Sequence, residues 1–251
     1  MPHLISPRVR ALLGLVLLGG VVLTPSLEAR LWHVSPNGHD AATGLTWAQA
    51  KRTVGATLAA AAAGDEIWVA QGLYQERVSM KNEVALYGGF NGQETDRSQR
   101  NWLLYPTILD GNQGGAVIRC ETAGATPATR IDGFTIRNGR GIMGGGIACI
   151  ASSPTIVNNL ITANTSIGEG GGICCYNGSN PLILNNWITD NLAGGDEGDG
   201  GGIACVKGDS KQNLGSSPLI WGNVIARNRA EENGGGIVAK GIFVSDDGQV
   251  V

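Results

Sequence analysis

Charge, aromatic rings and histidine are all scarce in this 251-residue sequence: 16% of residues are charged, 5% are aromatic and 3 are histidine. With 18 basic against 21 acidic residues, the formal net charge of −3 excludes the basic surface that nucleic-acid binding requires. Beyond residue 30 only His33 and His39 remain, both near the start of the chain. Histidine-based acid–base chemistry further along is therefore excluded, and a serine triad has no base. Long apolar runs are also missing after residue 65, where apolar stretches span three to five residues and are broken by Gly and Asn. That pattern excludes a helical solenoid. Glycine is what abounds. Its 40 copies, set against so few aromatics, point to many tight corners and thin, stacked packing, while 42% hydrophobic content still supplies a core for one domain.

The first 29 residues read as a secretory signal peptide. Arg8 and Arg10 precede an apolar run from Ala11 to Leu23, and a Pro-containing exit leads to Ala29, with Leu27 larger than the small residue a cleavage site favours. The run is shorter than the ~20 residues of a membrane span, so no transmembrane segment is expected once it is removed. No cysteine follows it to carry a lipid. The expected location is secreted or at the cell surface, an oxidising setting in which five cysteines, an odd number, cannot all pair within one chain.

The rest of the chain is a repeat. "PTIVNNLITAN" from Pro154, "PLILNNWITDN" from Pro181 and "PLIWGNVIARN" from Pro218 share P-x-I-x-x-N-x-I-x-x-N, at spacings of 27 and 37 residues. Each is followed by a variable loop and then "GGGI". Weaker copies precede them in "PTILDG" and "RIDGFTIRNG", and "GAVIRC", "GGGIACI", "GGGICCY", "GGGIACV" and "GGGIVAK" align Ile118, Ile147, Ile173, Ile203 and Ile237, giving about five units. Period-two alternation in such short runs gives three strands per unit, and stacking the units in register, about 4.8 Å per coil, gives an all-β parallel β-helix. The alternation turns three isoleucine series inward: Ile156, Ile183 and Ile220; Ile161, Ile188 and Ile225; Ile147, Ile173, Ile203 and Ile237. It also turns Asn159, Asn186 and Asn223 inward near a corner as a structural amide ladder.

Residues 30–64 differ. Trp47, Ala50, Val54, Leu58 and Ala61 share one helical face, "TWAQ" offers a capping box of Thr46 with Gln49, and Gly64 stops the pattern. This segment is expected to be an amphipathic helix capping the first coil of a solenoid over 65–251. "EIWVA" and "VALYGGF" read as opening strands. Strand-like residues continue to the end of "GGGIVAKGIFVSDDGQVV", so the solenoid is expected to be cut short there.

"WHVSPNGHDAATGLTWAQAK…GDEIWVAQGLYQE" and "YGGFNGQETDRSQRNWLLYPTILDG" resemble secreted bacterial right-handed β-helix proteins of the pectin-lyase-like superfamily, and the later units are similar to the repeats of polymorphic outer-membrane proteins. The resemblance covers Trp32 to about Lys240. Ile161, Ile188 and Ile225 stand where the outer-membrane motif has Phe. What it implies is the right-handed fold; for activity the superfamily spans polysaccharide lyases, glycosidases and adhesins.

Chemistry is then sought outside the repeat. Cys120, Cys149, Cys175 and Cys205 each follow a ladder isoleucine by two residues, so they form an inward column whose strand spacing exceeds the roughly 3.5 to 4.5 Å between Cβ atoms that a disulfide needs. A linear column does not converge on a metal. Cys174 is expected outward. The two insertions of the unit from Pro181, "LAGGDEGD" and "VKGDSKQNLGSS", gather Asp196, Glu197, Asp199, Asp209, Lys207 and Lys211, with Asp190 just ahead. Asp190, Asp196, Asp199, Lys207 and Asp209 are the catalytic candidates if the chain is an enzyme, for glycoside hydrolysis by paired acids or lyase chemistry with a calcium ion held by Asp196, Glu197 and Asp199. Otherwise they form a solvated acidic loop, and no cofactor is required. Outward Trp187 and Trp221, in adjacent coils on neighbouring faces, form a candidate platform for sugar rings. "NGQETDRSQRNW", with Glu94, Asp96, Arg97 and Arg100, reads as an ion-paired loop beside the early coils. No unit carries a complete catalytic constellation. The reading is therefore a surface or extracellular protein binding a polysaccharide or cell-surface partner without catalysis, with a polysaccharide lyase or glycoside hydrolase, or a purely structural repeat of a larger surface protein, as alternatives.

Overall fold

The structure, a computed structural model, describes residues 28–121, 126–196, 198–208 and 215–240. The signal segment to residue 27, Glu197, Asp209, Lys211 and the residues after Lys240 lie outside them. Every strand pairing is parallel, and successive coils add to the same sheets. Sheet A has seven strands, Leu31–Val34, Glu66–Ala70, Ala85–Phe90, Arg130–Asp132, Thr155–Val157, Leu182–Leu184 and Leu219–Trp221. Sheet B has six, from Gly72–Tyr74 through Leu160–Thr162 to Val224–Ala226, and sheet C six, from Val78–Ser79 to Ile237–Ala239.

The register holds the predicted isoleucines in line: Ile156 pairs with Ile183 and Ile183 with Ile220; Ile161 with Ile188 and Ile188 with Ile225; Ile147 with Ile173 and Ile173 with Ile203. These side chains are enclosed through Ile203 and become half-buried at Ile220 and Ile225, while Ile237, in the last described coil, is exposed. Each fully enclosed isoleucine contributes roughly 1.5–3 kcal/mol.

A fourth element is absent from the sequence-based expectation. Two-residue strands, Arg140–Gly141, Thr165–Ser166, Leu192–Ala193 and Arg229–Ala230, stack as sheet D between sheets B and C. Two residues are too few to show alternation, so the repeat reads as three strands where the chain makes four. The "GGG" runs follow. Gly144, Gly170, Gly200 and Gly234 sit at positive φ, and a Cβ on Gly171 would stand 2.5 Å from the Gly201 carbonyl oxygen. The backbone turns stack so closely that no side chain fits.

Two amide ladders close the corners. Asn159 Nδ2 donates to Asn186 Oδ1 at 3.1 Å, Asn186 Nδ2 to Asn223 Oδ1 at 3.0 Å, and each also donates to an inward carbonyl, Ile131 and Ile156 respectively. The second ladder, Asn164–Asn191–Asn228, repeats this pattern at 3.0 and 2.9 Å between sheets B and D. Both motif asparagines are thus architectural, and sequence alone singled out only the first.

The N-terminal expectation changes in detail. The helix, α1, is Val54–Ala60, capped by Thr53, whose Oγ1 accepts from Ala56 N at 3.2 Å; Trp47–Gln49 is only a short 3₁₀ turn, and Thr46 makes no capping bond. Gly38 and Gly44 fold residues 35–51 back on themselves, with Lys51 N–H donating to the His33 carbonyl at 2.9 Å, so the apolar spacing from Trp47 onward does not lie on one helix. Glu76 accepts from Val54 N and Gly55 N at 2.8 and 2.9 Å, tying the start of α1 to the first coil. Val54 and Leu58 then enter the core beside Trp32, Ile67 and Val78.

Candidate functional site

The loop from Asn91 to Pro106 leaves the repeat and folds over the outer faces of sheets A and B. Glu94 is buried and accepts from Asn91 N, Gly92 N and Gln93 N at 2.6, 3.0 and 3.1 Å, and Asp96 with Gln99 forms the capping box of a 3₁₀ turn. Arg97 pairs with Glu66. Arg100 reaches Asp132 Oδ1 at 2.6 Å, and its guanidinium lies over the rings of Tyr87 and Trp102, 5.2 and 4.9 Å from their centroids. Gly89, at φ +90°, lets the chain pass: a Cβ there would stand 2.7 Å from the Trp102 backbone. The loop is the ion-paired element expected, and it also sets Trp102 in place.

Sheet B supplies the opposite wall. Its outward residues run Leu73, Ile108, Thr135, Leu160, Trp187, Val224 in register from coil to coil. Between this stripe and the loop lies a groove of about 290 Å³ lined by Trp102, Leu103, Pro106, Leu160, Asn185 and Trp187, among others. Trp187 is 62% exposed and Trp102 36%. Asn158 at the groove donates to Asp132 Oδ1 at 3.0 Å, whereas the exposed Asn185 carboxamide has no hydrogen-bond partner among the described residues. An indole face, aliphatic edges and a free amide in one concavity suit a ligand with an apolar ring face and equatorial hydroxyls.

Trp221 does not line this groove. It stands on sheet A, 68% exposed, across the Gly222–Asn223 corner from Val224, the residue that stacks on Trp187. The two tryptophans thus stand in adjacent coils on neighbouring faces, as the repeat predicts, with the Gly222–Asn223 corner between them. The sequence reading did not single out Trp102, Pro106 or Asn185, which line this groove; for the first two the available signal was "NWLLYP", an apolar cluster outside the repeat frame.

Two of the candidate carboxylates are engaged by cations. Asp190 is bound on both oxygens by Arg227, Nε–Oδ1 and NH2–Oδ2 each 2.7 Å, and this pairing holds its carboxyl below the usual range. Asp199 is fully enclosed, accepts from Asn233 N at 2.7 Å and pairs with Lys240, which also reaches Glu169 at 3.0 Å. Burial opposes its ionisation, but Lys240 and Asn233 outweigh it and hold Asp199 low. Asp196 and Lys207 are exposed on the two insertions, while Glu197 and Asp209 lie outside the described residues. Asp190 and Asp199 thus have separate cationic partners. Among the described residues no group of three or more His, Cys, Asp or Glu side chains is placed to hold a metal ion.

All five cysteines are free and buried, with Cys120, Cys149, Cys175 and Cys205 paired in register as expected. Cys174 faces away from the main core, as the alternation predicts, but it is not exposed. Met143, Tyr176 and Ala204 cover it, and the turn at Gly170 comes so close that a Cβ there would stand 2.8 Å from its own Cβ. Burial, with the nearby Glu169 charge, pushes its thiol pKa well up.

A solenoid with flat parallel walls, an N-terminal cap and a loop-walled groove defines the structural class. The model of the right-handed β-helix region matches residues 91–251, more than half of the chain, and the chain belongs to that family. No curated protein and no solved structure was found to match it. Among the described residues no helix is long and apolar enough to cross a membrane, which says nothing of β-barrels.

Proposed function

We propose that this chain is an exported, surface or extracellular β-helix protein that binds a glycan without catalysis, using the groove between Trp102 and Trp187. The observation that carries the reading is the convergence of two exposed indoles and the Asn185 amide, without a hydrogen-bond partner among the described residues, on one concavity walled by the non-repeat loop. Leaving indoles exposed costs solubility, and a ring-stacking ligand is the simplest chemistry that offsets it. Trp221 extends the contact area around the corner for a longer chain.

The experiment is retention of the purified protein on a panel of insoluble and gel-embedded polysaccharides, neutral and acidic, with and without calcium. Retention by at least one glycan that falls in Trp187→Ala supports the reading. The same incubations are assayed for new reducing ends and unsaturated products, whose appearance would replace it with the lyase or hydrolase alternative. Absence of any retention would leave the structural-repeat alternative standing in its place.

A further inference from the structure

A second concavity lies on the other side of the solenoid, where sheets C and D meet over the early coils. It is an open groove of about 650 Å³, within the range of organic-ligand sites, and is lined by three arginines, Arg77, Arg119 and Arg140, with no carboxylate among the described residues of its lining. In a chain of net charge −3 that concentration of one sign is not background.

Each arginine is brought there by the coil geometry. Arg119 is the outward residue between inward Ile118 and Cys120, stacked on Ser79 of the coil before. Arg77 lies two residues ahead of Ser79, and its guanidinium donates to the Gly114 carbonyl and rests on Gly115, where a Cβ would approach it to 2.8 Å. Arg140 opens the first strand of sheet D, its backbone N–H on the Gly115 carbonyl at 2.9 Å. Arg119 pairs with Glu121 outside the groove. Arg140 has no side-chain hydrogen bond or ion pair among the described residues, and it is exposed. Ala116, Ile142 and Met143 add apolar surface between the guanidinium groups, and Ile142 is 71% exposed.

We infer that this groove is a binding site for an organic oxyanion: a ring or short chain that carries a carboxylate, sulfate or phosphate and has an apolar face. Guanidinium forks match such groups bidentately. The apolar surface beside them favours an organic carrier over a small hydrated ion, which would leave Ile142 uncovered. The site lies apart from the tryptophan groove and does not depend on it.

Calorimetric titration at low salt with glucuronate, glucose 6-sulfate, glucose 6-phosphate, glucose and inorganic sulfate tests it, and the three charged sugars report which oxyanion the site takes. The expected result is binding of at least one charged sugar, tighter than glucose and tighter than inorganic sulfate, weakening as salt is raised. Arg140→Gln and, separately, Arg119→Gln then reduce affinity about tenfold, roughly 1.4 kcal/mol, with unchanged circular dichroism. Arg229→Gln, in the same ladder three coils away, makes no difference. The inference is overturned if no charged sugar binds, if glucose or inorganic sulfate binds as tightly, or if Arg140→Gln and Arg119→Gln both bind like the wild type.

Discussion

Arg227 reaches back one coil and grips Asp190 with two parallel hydrogen bonds of 2.7 Å, and both residues occupy the left-handed corner position, at φ +55° and +57°. The pair repeats the coil register in charged form, which makes Asp190 a clasp between corners. Because both groups are solvent-exposed, the clasp is a modest contributor that salt screens. Asp190→Asn and Arg227→Gln should each lower the melting temperature slightly, and the double variant should lower it no further than the larger single effect. Neither should alter glycan retention. Loss of a product-forming activity in Asp190→Asn would instead make it a catalytic acid.

The enclosed asparagines should behave quite differently. Asn186 uses its amide for two donated and two accepted bonds, the latter from Asn159 N and Nδ2 at 3.0 and 3.1 Å. Asn186→Ala strands the Ile156 carbonyl and the Asn159 and Asn223 amides in a dry corner, at a cost of about 3 kcal/mol. Its neighbour Asn185, at φ +54° with an unbonded carboxamide, is the control: Asn185→Gly should cost under about 1 kcal/mol. Denaturant unfolding of the two variants checks the contrast, and equal losses would contradict it.

The same pair shows what the sequence could reveal. Asn186 was readable because Ile188, two residues on, recurs as Ile161 and Ile225 in the neighbouring units, and that periodicity also located sheets A, B and C. Sheet D escaped because Thr165–Ser166 and Leu192–Ala193 are too short to alternate. The groove escaped for another reason: Trp102 comes from a loop with no repeat frame, and only tertiary folding over Gly89 brings it opposite Trp187. Charge content drew attention to the insertions around Asp199, but their pairing with Lys240, 41 residues away in sequence, is a long-range contact that composition does not encode.

Cys174 tests the covering turn. Enclosure predicts that none of the five cysteines reacts with a water-soluble thiol reagent in the native protein, and that all five react after denaturation; at Cys174 the raised thiol pKa acts in the same direction. A single fast-reacting thiol that is lost in Cys174→Ala would show the Gly170 turn open over this site.

Acidity acts on two buried groups. Asp199 titrates below its ordinary value in the fold, so its contribution is complete above the ordinary carboxyl range and is lost as pH falls through the lowered folded value. His33, lowered mainly by burial against a weaker opposing bond to the Gly44 carbonyl, likewise stabilises above the ordinary imidazole range and loses that contribution as pH falls through its folded value. Lys240, raised chiefly by Asp199, contributes below the ordinary lysine range and loses its share as pH rises through the raised value. Unfolding measured against pH should show Lys240→Met destabilised most at neutral pH, where it leaves Asp199 and Glu169 without their cation, and approaching the wild type in acid. A pH-independent difference would contradict the pairing.

Ligand recognition in the proposed function resides in the Trp102–Trp187 groove. Its most direct measurement is the dissociation constant of the best-retained glycan, as a soluble oligosaccharide, for the wild type, Trp102→Ala, Trp187→Ala and Asp190→Asn. Each tryptophan variant should bind about tenfold more weakly, a loss of roughly 1.4 kcal/mol, and Asp190→Asn should keep wild-type affinity. Undiminished binding in both tryptophan variants would contradict it.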